Sequence, residues 1–158
     1  MVHVVGVGEM KTSNHPEDLL VTPPMGASLA LILHDRAAGI GGILHFLLPL
    51  SEISPERASD NPCLFADTGF PLFLRAALAL GASRRTSKIA MVGGAQPIDP
   101  SEFFALGRRN QAVARRITNG EDLPIEKEHV GGTRARRVRL DVGSGRTWVA
   151  CRGEEFEL

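Results

Sequence analysis

Two apolar runs, Ser28-Leu29-Ala30-Leu31-Ile32-Leu33-His34 and Ile40-Gly41-Gly42-Ile43-Leu44-His45-Phe46, flank the turn-rich segment Asp35-Arg36-Ala37-Ala38-Gly39. Each run has strand length and the insert has hairpin chemistry, so the spacing predicts a β-hairpin. With His34 and Gly39 closing the turn, Ser28 falls opposite His45. Directly opposed residues share one face of a sheet, with Cβ atoms about 5 Å apart. A hydroxyl that close to an imidazole is the minimum for base-activated nucleophilic attack, which makes the pair the candidate site. A register slip of one residue would move one partner to the other face. Taken singly, Ser28 at a strand start reads as a turn hydroxyl and His45 on an apolar strand as a core histidine.

A chain of 158 residues with 43% hydrophobic content suits a single domain spanning residues 1–158 with one core. No apolar run reaches the roughly 18 residues that span a bilayer, and the N-terminus lacks the basic and small-residue pattern of a signal peptide. A cytoplasmic protein with no membrane insertion is expected. Cys63 and Cys151 are too few and too unpatterned for a disulfide framework or a zinc site, so both are read as free thiols and no metal is expected. Arg134, Arg136, Arg137 and Arg139 form the densest basic cluster. Eighteen basic residues balance eighteen acidic ones, and 5% aromatic content without tyrosine offers few stacking platforms for bases. No nucleic-acid partner is expected; the cluster reads as a solvated strand edge, with an acidic protein surface as the functional alternative.

Along the chain, His3 to Gly8 predicts a first strand and Leu19 to Thr22 a second, before the break at Pro23-Pro24. Ser51 to Pro62 reads as a loop with one helical turn from Pro55. A helix from Asp67 to Leu80 is capped by Asp67 or Thr68 and closed by Gly81. Ser87 to Val92 is a short buried strand leading into Gly93-Gly94-Ala95, where backbone can approach backbone closely; the Gly-Lys-Ser/Thr ending of a phosphate loop is missing. A second helix, Leu106 to Thr118, carries Arg108, Arg109, Arg115 and Arg116 on a wet face. Ile125 to Val130 and Val138 to Val142 read as strands around a Gly131-Gly132 turn. Gly143-Ser144-Gly145 then returns the chain into Thr147 to Cys151, and the acidic tail from Glu154 frays. The expected class is α/β: a mixed, largely antiparallel sheet with β-hairpins, covered by helices.

Seven blocks in order resemble the CheD family of chemoreceptor glutamine deamidases, and together they cover most of the chain. They are Val5-Gly6-Val7-Gly8-Glu9, Gly26-Ala27-Ser28, Gly42 to Pro49, Ala66-Asp67-Thr68, Lys88 to Ala95, Leu106-Gly107-Arg108-Arg109-Asn110 and Gly131 to Arg136. The resemblance implies a CheD-like sandwich. It also implies hydrolysis of a glutamine side-chain amide on the cytoplasmic helices of a methyl-accepting chemoreceptor, releasing ammonia, with no cofactor. The family's catalytic cysteine, histidine and threonine fall on Ser28, His45 and Thr22, so Ser28 stands where a cysteine is expected. By the same resemblance His45 acts as base and then acid with Thr22 fixing its tautomer. Backbone N–H groups around Gly26, Ala27 and Ser28 are the oxyanion-hole candidates.

The serine changes the chemistry. A cysteine, with a free pKa of about 8.5, ionises beside a histidine, whereas a serine must lose its proton during attack. Impaired hydrolysis is therefore expected. The alternative function is a non-catalytic CheD-like module that binds chemoreceptors or a CheC-type phosphatase.

Overall fold

The hairpin forms and becomes the centre of the molecule, because both of its faces are apolar. The computed structural model describes residues 1–96 and 105–158. In it the hairpin consists of β4 (Leu29–Asp35) and β5 (Ile40–Phe46), and every residue of β5 is buried. Preceding it are β1 (Val2–Val4), β2 (Glu9–Ser13) and β3 (Leu19–Val21). Following it are the helices α1 (Pro55–Asp60) and α2 (Ala66–Ala79), β6 (Ser87–Gly93) and α3 (Leu106–Gly120). The chain ends with β7 (Ile125–Val130), β8 (Arg136–Asp141), β9 (Thr147–Cys151) and β10 (Glu154–Glu157). Two five-stranded mixed sheets result, one ordered β2-β5-β4-β6-β7 and the other β1-β3-β8-β9-β10.

Alternation along the hairpin sorts the layers. Leu29, Leu31 and Leu33 of β4, with Leu44 and Phe46 of β5, pack on Phe70, Phe73 and Ala77 of α2 and on Val113 and Ala114 of α3. Ala30, Ile32 and Ile43 point the other way, onto Leu20, Val138, Leu140 and Val149 of the second sheet. The architecture is α/β in three layers: helices, central sheet, outer sheet. Each fully buried Phe or Leu contributes about 1.5–3 kcal/mol, and the two apolar clusters meet through the hairpin. Gly41-Gly42 lets both layers close on β5. A Cβ on Gly41 would lie 3.1 Å from Leu140 Cδ2, and one on Gly42 would lie 2.8 Å from Phe73 Cε1.

Several expectations need correction. The first strand stops at Val4, and Glu9–Ser13 is a separate strand that pairs with β5. Its sequence, Glu-Met-Lys-Thr-Ser, has no apolar run because it is an edge strand with one wet face. Gly131 and Gly132 do not join a hairpin: at φ +78° and +67° they carry the chain from β7, parallel to β6, into β8 of the other sheet. The tail does not fray. Residues Glu154–Glu157 form β10 against β9, with Arg139 and Arg146 bonded to Glu155 and Glu157. Helix α2 has Phe65 at its N-cap without a side-chain bond. The Asp67 carboxylate instead accepts from the Ser51 amide and hydroxyl, and the Thr68 hydroxyl donates to the Pro62 carbonyl. Arg136 is buried rather than solvated, and its guanidinium donates to the carbonyls of His129 and Gly131.

Candidate active site

The hairpin register differs from the expected one by two residues, with Asp35 opposite Ile40 and Ala30 opposite His45. Asp35 holds the turn there. Its carbonyl accepts from the Gly39 amide, and its carboxylate accepts from the amides of Ala38 and Ser83 and the hydroxyl of Thr86. A two-residue offset preserves parity, so Ser28 and His45 still share the face turned toward the outer sheet, as diagonal rather than direct neighbours. Ser28 Oγ lies 2.8 Å from His45 Nε2.

His45 Nδ1 lies 3.1 Å from the carbonyl oxygen of Val5. A carbonyl can only accept, so Nδ1 carries the ring proton and Nε2 presents its lone pair to the Ser28 hydroxyl, which donates to it. Burial pushes the His45 pKa below its ordinary value, with partial opposition from the Val5 hydrogen bond and from the charge of Glu9. The imidazole is accordingly neutral near pH 7, the state a general base requires.

The segment before β2 wraps this histidine. The Val5 amide donates to the Val21 carbonyl at 2.7 Å, and the Gly8 amide donates to the His45 carbonyl at 2.8 Å. Glu9, the cross-strand partner of His45, accepts the Gly6 amide on its carboxylate at 2.9 Å. Thr22 is buried nearby in the chain, but its contacts run to β8: its amide donates to the Val138 carbonyl, and its hydroxyl accepts the Val138 amide at 3.0 Å. The Nδ1 partner is thus the Val5 carbonyl and not the Thr22 hydroxyl. Thr22 sits one residue beyond Val21, which anchors Val5.

The loop from Met25 to Ser28 is pinned through its carbonyls. Met25 exchanges backbone bonds with Arg136. Gly26 O accepts from Ala95 N at 2.8 Å, Ala27 O from Asn110 Nδ2 at 3.0 Å, and Ser28 O from Gly94 N at 2.9 Å. Gly93 allows the closest approach: at φ +115° it passes so near that a Cβ would lie 2.5 Å from Ser28 O. The amides of Gly26, Ala27 and Ser28 have no protein acceptor among the described residues. Two contributors receive no chemical role from the sequence. The Val5 carbonyl is backbone and carries no signature in the sequence. Asn110 had a readable signal, a lone amide on the same helical stripe as buried Gly107, Val113 and Ala114.

Cys63 and Cys151 are both free, and burial raises the Cys63 pKa. Among the described residues no group of three or more His, Cys, Asp or Glu could hold a metal, and no helix is long and apolar enough to cross a membrane.

Comparison with known proteins identifies the family. The family model described as CheD chemotactic sensory transduction matches residues 47–151, beginning just after His45. A probable chemoreceptor glutamine deamidase CheD of Solibacter usitatus is 40% identical over 155 residues, covering 98% of this chain and 92% of the relative. The corresponding CheD 1 of Syntrophus aciditrophicus is 33% identical over 150 residues, covering 95% and 94%. CheD 2 of Anaeromyxobacter dehalogenans is 40% identical over 145 residues, covering 92% and 91%. With relatives that similar running through both the hairpin and the matched region, the chain belongs to the CheD family.

Proposed function

We propose that this protein acts in the cytoplasm on chemoreceptors, with a glutamine deamidase site in which Ser28 is the nucleophile and His45 the base and then the acid. The names of its relatives support the reaction, and the 2.8 Å contact between Ser28 Oγ and His45 Nε2 carries the assignment of residues. As Oγ bonds to the carboxamide carbon, its proton passes to Nε2. The free amides of Ala27 and Ser28 receive the developing oxyanion. The C–N bond then breaks as Nε2 returns the proton to the departing ammonia. Water, activated by the same nitrogen, hydrolyses the ester to glutamate and regenerates Ser28. Thr22 supports the site indirectly, by tying the end of β3 to β8 and so fixing the strand that holds Val5.

Turnover is slow in this reading. A neutral carbonyl on Nδ1 orients the imidazole but stabilises the imidazolium less than a carboxylate would, and serine cannot be pre-ionised. Incubating the protein with a receptor cytoplasmic fragment and following amide-to-acid mass shifts at each glutamine tests the reaction. Slow conversion that disappears with His45→Ala is expected; conversion unaffected by that change overturns the assignment.

The same serine favours a second reading, a binding module for chemoreceptors or for a CheC-type phosphatase, since docking depends on surface rather than on sulfur. Calorimetric titration against each partner separates the two. Binding with no mass shift selects the module, and absence of binding to either excludes it.

A further inference from the structure

We infer that Asn110 is a positioning residue which sets the orientation of the Ala27–Ser28 peptide and thereby aims the Ser28 amide at the oxyanion; this rests on the nucleophile proposed above. Asn110 Nδ2 donates both of its hydrogens to backbone carbonyls, to Ala27 O at 3.0 Å and to Leu47 O at 2.8 Å. One carbonyl lies just before β4 and the other just after β5, so a single carboxamide closes the open end of the hairpin beside Ser28 and His45. In a trans peptide the C=O and N–H point in opposite directions. Holding Ala27 O toward α3 therefore turns the Ser28 N–H away from α3, and that amide has no protein acceptor among the described residues.

Two observations support this positioning role. Asn110 is fully buried, yet its Oδ1 has no hydrogen-bond partner among the described residues, a cost the fold accepts while both N–H groups are used. The backbone of α3 is also brought in as close as glycine permits: a Cβ on Gly107 would lie 2.4 Å from Gly94 O, and the Gln111 amide donates to that same oxygen at 3.0 Å. This placement fixes the origin of the Asn110 side chain relative to the loop.

The test compares two reactions at position 28 in a Ser28→Cys background, each read by peptide mass spectrometry so that Cys63 and Cys151 do not contribute. Alkylation by iodoacetamide forms an S–C bond and expels iodide without an oxyanion. Acylation by p-nitrophenyl acetate passes through an oxyanion as the thiolate adds to the carbonyl, then expels p-nitrophenolate to leave a thioester. Adding Asn110→Ala should lower the ratio of acylation to alkylation by at least about tenfold, less than the roughly 10²–10³-fold for deleting a donor because the amide remains but is misaimed. Asn110→Asp keeps the side-chain size while replacing both donated hydrogens with an acceptor. It should give the same fall, and it carries the test if the alanine variant does not fold. Both rates falling together, or neither changing, overturns the inference. The expected fall in that ratio without any glutamine deamidation by the parent would overturn the proposed function and leave this inference standing, whereas no acylation at position 28 in the parent overturns both.

Discussion

The corner formed by Ser28, His45 and Asn110 and the outer face of β8–β10 are both dense in polar contacts, yet the first is buried and uncharged while the second is exposed and ionic. In the corner, backbone from several segments does much of the holding: Val5, Ala27, Leu47 and Gly94 all take part. On the outer face, Arg139 and Arg146 lie 4.3 and 4.7 Å from the centre of the Trp148 ring and pair with Glu155 and Glu157. Water competes for every one of those outer contacts and salt screens them. In the corner burial limits that competition, so loss of one partner leaves another group unsatisfied. The number of polar contacts is thus a poor guide to their consequence; burial decides it.

The largest effect is expected at the nucleophile. Ser28→Cys should raise deamidation of a receptor fragment by at least about 10²-fold, the low end of what a positioned base contributes, and His45→Ala in that background should remove the gain. A folded Ser28→Cys protein that binds receptor and converts no glutamine would break the enzymatic side of the comparison.

Next in size is Thr22→Val. The change keeps the shape but leaves the Val138 amide without its acceptor inside the protein, which should cost about 1–3 kcal/mol in denaturant unfolding. Because the Nδ1 partner is Val5, the His45 pKa measured by NMR should not follow; a large shift would show that Thr22 acts on the histidine directly.

Lowering the pH probes the same corner. The folded His45 pKa lies below the unfolded value of about 6.5, so the folded state resists protonation there. Its contribution to stability is fully present above about pH 6.5 and is lost as pH falls through the folded pKa. The acid limb of acyl transfer should likewise have its midpoint below 6.5, and a midpoint above that would contradict a neutral, desolvated base.

The smallest effect belongs to the outer face. A double-mutant cycle on Arg139→Ala and Glu155→Ala should give a coupling of about 1 kcal/mol or less, shrinking further in high salt. A coupling as large as the Thr22→Val loss would erase the distinction between the two regions.

Much of the site was legible because strand parity survives errors in register. Ser28 and His45 were placed on one face from spacing alone, and the two-residue offset introduced by Asp35 left that conclusion intact. Asn110 was visible as part of a block but without a role, since its partners, Ala27 O and Leu47 O, are far away in sequence. The strand Glu9–Ser13 was invisible because an edge strand with a wet face needs no apolar run.

By itself, the sequence determined what short-range chemistry controls. The central hairpin follows from two apolar runs around a turn, the helices from their periodicity and terminal glycines, and the kinship from seven ordered blocks. Only the tertiary structure decided that β7 and β8 part into different sheets, that Arg136 is buried against backbone carbonyls, and that the Val5 carbonyl, not the Thr22 hydroxyl, holds the ring of His45. The physical reason is common to all three. A backbone N–H or C=O is the same in every residue, so which carbonyl meets which donor is set by the path of the chain through space and not by the side chain that residue carries.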